Sequence, residues 1–483
     1  MFRKALLILS GNATGSALVF ARNLLVARMI TVEDFGIAAT FAMVMALIEM
    51  AAALGLQQQI VQARDGADPH FQAALQGFQV LRGVLLGAIL FAVAWPIAAF
   101  LGIPEIAWAY QLLAVVPVLR ALMHFDPWRM HRQMRYLPGI LVSVAPAAVS
   151  LALVWPLVAL FGDWRVTLYA IVLQALISVG MSHAVAERPY RLAFDQAIMT
   201  RNLRFGWPLL VNGALLYLVF NGEKLIVGRE LGMETLGIFA MGVALTLTPT
   251  TVAAKSAQSF FLPQLSAVAA RDPARFDALA LAVLQTSLLI GVLMVLAIML
   301  VGGPFVLLVL GDKYGPLLPL LAGLALVHGL RVFKAGCAVV ALSRARTANA
   351  MIANLIRVAS LPVSWYAVTQ GAGITTVIWI AAAAEAMGYL VALGLVRLRV
   401  GLRLERMALP LAGAAGFLGL AWAAGEGLLP AGWEAAVLLA GFVVFAAGLR
   451  DLHAYVARRA MVTFDEKDGL DEKDGLDKKD GPR

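Results

Sequence analysis

Residues 24–40, LLVARMITVEDFGIAAT, return 201 residues later at 225–241 as LIVGRELGMETLGIFAM. Seven of the seventeen positions are identical: Leu24/Leu225, Val26/Val227, Arg28/Arg229, Glu33/Glu234, Gly36/Gly237, Ile37/Ile238 and Ala39/Ala240. Both copies join an apolar helix to a short acidic turn and then to a second apolar helix that opens with glycine. Upstream, Asn12 and Asn23 stand eleven residues apart, as do Asn212 and Glu223. Eleven steps of about 100° return to nearly the same helix face, so each copy carries a polar stripe. The chain is built twice, with a polar seam on the first helix of each half.

Apolar residues make up 61% of the 483 and charged residues only 14%. The apolar ones run too long for a water-soluble core, which marks a polytopic membrane protein. The basic, apolar N-terminus carries Arg22 and Arg28 on one extended helix and no small-x-small cleavage site, so it reads as an uncleaved first span. A lone Cys337 excludes a disulfide framework and a cysteine-rich metal site. The net charge of +9 belongs to cytoplasmic loops and not to a nucleic-acid surface.

At about 20 apolar residues per span, the expectation is an all-α protein of about fourteen transmembrane helices. The first six run 5–29, 36–56, 77–100, 106–124, 138–161 and 165–185. The next six run 205–228, 237–260, 279–301, 315–342, 348–369 and 374–396, and 407–425 and 433–450 complete the set. The expected organisation is an N-lobe at 1–185, a polar interfacial connector at 186–204, a C-lobe at 205–397, two additional spans within 398–450 and a cytoplasmic disordered tail at 451–483. The segment 305–310 is too short to span and is expected at the surface. The tail ends in three six-residue units, DEKDGL, DEKDGL and DKKDGP, whose charge predicts a solvated segment. With the N-terminus placed inside, 27 of the 38 Lys and Arg fall inside, seven within spans, and only Arg28, Arg165, Arg229 and Lys313 outside. Cytoplasmic loops carry such an excess, so both termini are expected in the cytoplasm.

The seven intramembrane cations are Arg22, Arg82, Arg120, Lys224, Arg331, Lys334 and Arg357, against three carboxylates, Glu49, Glu223 and Glu385. An ionisable side chain at the bilayer centre costs about 2.5 to 3.5 kcal/mol on insertion scales. A surplus of four predicts a polar cavity that attracts an anion. His328, Arg331 and Lys334 recur every third residue and form a basic stripe, with Arg120 and His124 in the matching place of the fourth span. Arg binds phosphate oxygens bidentately and Lys as a point charge. The other reading has these groups snorkelling to lipid headgroups. Arg22 and Glu223 are expected to pair as a structural latch, beside Asn23 and Lys224, and Glu385 to pair with Arg357. The basic loop FDPWRMHRQMR, with Asp126 and His131, is expected to meet anionic headgroups.

Catalytic signatures are missing: there is no Gly-x-Ser-x-Gly, no phosphate-cradling glycine loop and no His-Glu-x-x-His. Three stretches, ARNLLVARMITVEDFGI, ALGLQQQIVQ and ALSRARTANAM, together with the repeat, resemble the oligosaccharide and polysaccharide flippases of the multidrug/oligosaccharidyl-lipid/polysaccharide exporter superfamily. The resemblance covers most of residues 1–450. It implies two six-helix lobes facing each other in a V, alternating access, and passage of an undecaprenyl-pyrophosphate-linked oligosaccharide from the cytoplasmic to the periplasmic leaflet of a bacterial inner membrane. It implies no cofactor and no metal. Its partners would be the lipid-linked substrate, membrane lipids and the glycan polymerase and export machinery, with no nucleic acid. By charge and depth, Arg22, Arg120, Arg331, Lys334 and Arg357 are expected to line a cationic cavity, and Asn23, Glu223, Lys224 and Glu385 to serve structure and gating. A lipid II flippase and a cation-coupled small-molecule exporter of the same superfamily are the alternatives. A glycan polymerase or ligase would need a long outside loop, and the longest here is about a dozen residues.

Overall fold

A backbone that crosses hydrocarbon finds no water for its N–H and C=O groups and closes them on itself as helix. In the computed structural model, which describes residues 2–51, 55–269 and 271–457, every regular element is helical. The side chains of Asn12 and Asn212, and the charged repeats at 465–482, lie outside the described residues.

The first half runs α1 (Phe2–Met29), α2 (Val32–Ala51), α3 (Leu56–Gln62), α4 (Pro69–Phe100), α5 (Ala107–Leu113), α6 (Val115–Ala121), α7 (Asp126–Arg132), α8 (Leu137–Ala152), α9 (Val154–Phe161) and α10 (Arg165–Ala184). The second runs α11 (Gln196–Glu230), α12 (Gly232–Val268), α13 (Pro273–Ala297), α14 (Gly303–Val309), α15 (Leu321–Ser343), α16 (Ala348–Thr369) and α17 (Ile374–Leu395), and α18 (Ala408–Gly425) and α19 (Glu434–Ala447) follow. Asp68, Asp195 and Asp272 start α4, α11 and α13 by accepting hydrogen bonds from the first free backbone N–H groups, the usual work of an N-cap carboxylate.

Among the described residues nine helical stretches are long and apolar enough to cross a membrane, or eleven if each of two bent helix pairs is one span. The expected first, second and seventh spans lie on α1, α2 and α11, outside that number. These are the helices that carry Arg22, Glu49 and Glu223. The segment 305–310, expected at the surface, is corrected: α13 passes through a π-helical turn, Ile298–Gly302, into α14, so the segment prolongs the ninth span and buries Val306 and Leu310. The start of the expected disordered tail is corrected too. Arg450–Ala457 is helical, with Asp451 accepting from Gln285 Nε2 at 2.9 Å and Tyr455 donating to Gln264 Oε1 at 3.0 Å.

The chain forms two compact units. Unit 1 comprises Met1–Thr248, Gly303–Leu320 and Arg357–Ile380, and so contains both copies of the repeat; unit 2 comprises Pro249–Gly302, Leu321–Ile356 and Ala381–Arg483. In unit 1, Leu56, Ile60, Phe71, Leu75, Phe78 and Phe125 form a buried cluster that ties α3 to the start of α4 and braces Trp128. In unit 2, α13 and α15 pack along their length and bury Leu284, Leu288, Val292, Val332 and Phe333.

Candidate functional site

Glycines at 83 and 87 give α4 a small-xxx-small face, the pattern that lets membrane helices approach closely. A Cβ at Gly83 would come 2.2 Å from Ala121 Cβ and 2.7 Å from Pro117 O; at Gly87 it would come 2.7 Å from Val118 Cγ2. Helix α6 therefore lies directly on α4. Gln79, one turn earlier, donates to Arg120 O at 3.1 Å and Ala121 O at 3.0 Å, which fixes the end of α6. Next to this seam unit 1 holds a cavity of about 690 Å³, onto which Glu49, Gln57, Gln79, Arg82, Arg120 and Trp128 open.

Two of those groups pair. Arg120 Nη1 meets Glu49 Oε1, with side chains 40% and 54% exposed. A pair this open contributes about 0–1 kcal/mol and breaks easily. Arg82 differs: its Nε and Nη1 are buried with no hydrogen-bond partner among the described residues. Sequence reasoning counted Arg82 as intramembrane but did not select it. The available signal was the neighbouring GxxxG, which shows that this turn of α4 faces another helix and not lipid.

The remaining expected site residues fall into three groups. Arg22 is buried on α1 and donates to Ser150 Oγ of α8 at 3.0 Å, to Gln174 Oε1 of α10 at 2.5 Å and to Asn23 Oδ1 at 3.4 Å. The latch expected between Arg22 and Glu223 is thereby corrected. Neutral acceptors on α8 and α10 satisfy Arg22, and Glu223 pairs instead with Arg357 of α16, where Gly222 makes room for Leu361. Lys224, next in the chain, is half-buried. In unit 2, the fully buried Glu385 of α17 accepts Arg331 Nη2 at 2.8 Å and Lys334 Nζ at 2.6 Å. The basic stripe of α15 is thus turned onto a carboxylate, with His328 Nδ1 2.9 Å from Leu324 O on the same helix. Glu385 and Arg357 belong to different units, and each has partners in its own.

The loop FDPWRMHRQMR, expected on headgroups, is occupied with the connector. Asp126 is completely buried and accepts the backbone N–H of Glu187 at 2.8 Å and of Arg188 at 3.2 Å, together with Arg129. Burial alone would raise its carboxyl; the Arg129 guanidinium and those two N–H groups outweigh it and hold Asp126 below the usual carboxylate range. Gln76 donates to Arg191 O at 2.7 Å, and Arg188 donates to Gln72 Oε1 at 3.1 Å. The signal was the stripe Gln72, Gln76, Gln79 on the early turns of a mostly apolar helix. Among the described residues no group of His, Cys, Asp and Glu could hold a metal ion.

Residues 25–319 match the family model described as polysaccharide biosynthesis protein. The succinoglycan biosynthesis transport protein ExoT of Rhizobium meliloti (strain 1021) is 22% identical over 63% of this chain and 62% of its own. The amylovoran biosynthesis protein AmsL of Erwinia amylovora is 25% identical over 52% of this chain and 66% of its own. The matched region thus spans just under two thirds of either relative. Among solved structures, the lipid II flippase MurJ in its inward closed conformation superposes with a TM-score of 0.69 at 13% identity, covering 94% of this chain and 100% of that one, which shows a shared fold.

Proposed function

The chain belongs to the polysaccharide biosynthesis protein family, whose model matches residues 25–319, and from that premise we propose that it carries lipid-linked oligosaccharide units across a bacterial inner membrane. The reading assigns transport and not catalysis, in keeping with the transport protein and the flippase fold that it resembles. The observation that carries it is the cavity beside α4 and α6, where two arginines face one carboxylate. That surplus suits the diphosphate linking a polyprenol to a glycan, because phosphate oxygens accept bidentate guanidinium bonds.

On this reading Arg22, Arg120, Arg331, Lys334 and Arg357 supply binding charge along the route, and Asn23, Glu223, Lys224 and Glu385 tune which helices hold together. Both termini lie in the cytoplasm, where the excess of Lys and Arg falls, and polymerase and export proteins of the same pathway take over the product. The carried lipid is an undecaprenyl diphosphate bearing an exopolysaccharide or O-antigen repeat unit. Complementation tests this: the chain restores polymer at the cell surface in a strain lacking its own repeat-unit flippase. Rescue of lipid II-dependent growth without rescue of polymer would replace the reading with lipid II transport.

A further inference from the structure

We propose that Arg82 is the seat for the anionic group of the carried lipid, and that Glu49 is a built-in stand-in for that anion, held by Arg120 until the ligand displaces it. The inference rests on the transport reading and names which charges act and in what order. Arg82 buries Nε and Nη1 without a hydrogen-bond partner among the described residues. A guanidinium in low dielectric without acceptors is costly, and chains keep such a group where a pathway or site uses it. Arg82 also lines the cavity of about 690 Å³, so a turn of its side chain brings these two groups to an anion held there.

Arg120 sits on the same lining but already has an acceptor in Glu49. Its backbone is clamped to α4 by Gln79, and α6 cannot retreat without opening the seam at Gly83, so only the Arg120 side chain is free to change partner. Both members of the pair are open to the cavity, at 40% and 54% exposure, so exchange needs no unpacking. A diphosphate offers more oxygens and more negative charge than one carboxylate and wins both guanidinium forks. Before loading, the site holds two positive charges and one negative. The ligand first meets Arg82 and then takes Arg120 from Glu49, and release returns Arg120 to Glu49. The carboxylate thus keeps the empty carrier from holding a second uncompensated cation, and weakens the grip on the ligand enough for it to leave.

The test titrates the full chain in lipid nanodiscs with farnesyl diphosphate, with farnesol as the control lacking phosphate. Wild type is expected to bind the diphosphate and to bind farnesol at least about tenfold more weakly, a difference of about 1.4 kcal/mol. Arg82→Gln weakens the diphosphate by about tenfold or more, and Arg82→Lys recovers part of the loss. Glu49→Gln tightens binding severalfold, and the gain disappears in an Arg120→Gln background, because the two residues act as one unit. Unchanged affinity in Arg82→Gln, weaker binding in Glu49→Gln, or equal binding of farnesol would each overturn the proposal. Export separates it from the reading beneath: if wild type restores polymer and Arg82→Gln restores it equally, the seat is refuted and transport stands. If the binding pattern holds but wild type restores no polymer, the seat stands and the assigned cargo is wrong.

Discussion

Gly36 and Gly237, equivalent glycines 201 residues apart in the two copies of the repeat, each lie against the backbone of the other copy. A Cβ at Gly36 would fall 1.8 Å from Met233 O, and one at Gly237 would fall 2.1 Å from Val32 O. Val32 and Met233 are themselves equivalent positions, so the contact reads the same from either side. Duplication in the sequence is realised as a self-complementary crossing of α2 and α12, the geometry that a twofold relation imposes on an interface.

Because neither backbone can yield to a methyl group, Gly36→Ala and Gly237→Ala are each expected to destabilise unit 1 by about 1–3 kcal/mol, the usual cost of overpacking. The double mutant should cost less than the sum, since one separation of α2 from α12 relieves both clashes. Thermal unfolding of the detergent-solubilised chain measures this; additive losses would show two independent contacts.

Arg28 and Arg229, also equivalent in the repeat, both reach the carbonyl end of another helix. Arg28 Nη1 donates to Leu308 O at 3.2 Å and Val309 O at 2.8 Å on α14, and Arg229 Nη1 donates to Phe100 O at 2.8 Å on α4. A cation at a helix C-terminus contributes about 0.3–1 kcal/mol. Arg28→Ala and Arg229→Ala should each cost that much, and here the losses should add, because the helices capped are different. Charge counting places both arginines outside, where few cations remain, and this capping explains why they are kept. Lys313, a third cation that charge counting expects outside, donates to Arg28 O at 2.8 Å and so closes the same clasp from the other side.

Helical class and repeat were legible because hydropathy and identity are properties of single positions along the chain. The choice of partners was not. The sequence expects Arg22 and Glu223 at one depth, yet the helices that border Arg22 are α8 and α10, whose Ser150 and Gln174 carry no charge for a charge count to register. Arg331 and Lys334 were legible as a stripe on one helix face, but whether a stripe faces lipid, cavity or carboxylate is decided by α17, which supplies Glu385. For Arg82 the adjacent glycines at 83 and 87 mark a helix contact, but that α6 fills it and leaves a cavity beside Arg82 is decided by Pro117, Val118 and Ala121 of another helix.

Glu385 neutralises two cations from complete burial, so Glu385→Gln leaves Arg331 and Lys334 with a neutral acceptor in place of a carboxylate. Removing one side of a buried ion pair costs about 3–5 kcal/mol. Adding Arg331→Gln and Lys334→Met to Glu385→Gln should return much of the loss, since the triple mutant removes all three of these charges together. Unfolding midpoints of the single and triple variants check this; an equally unstable triple mutant would mean that the site is held by shape and not by charge.

The connector should loosen with acid in two stages. His124 Nδ1 accepts the N–H of Asp126 at 3.0 Å, which leaves Nε2 to donate to Arg188 O, 3.0 Å away. Protonation would put a second N–H against the Asp126 amide and break that turn. The folded turn therefore has no place for a second imidazole proton, and stability falls as pH drops through the ordinary histidine range. Asp126 is held low, so its contribution is present above about pH 3.9 and is lost only as pH falls through the still lower folded value. Unfolding midpoints between pH 8 and pH 4 should decline from about pH 6.5, and His124→Gln should flatten that decline. Asp126→Asn should instead lower stability at every pH, by about 1–3 kcal/mol for a buried acceptor set weakened against Arg129 and two amides. A midpoint that does not move across the histidine range in wild type would show that the turn tolerates the proton.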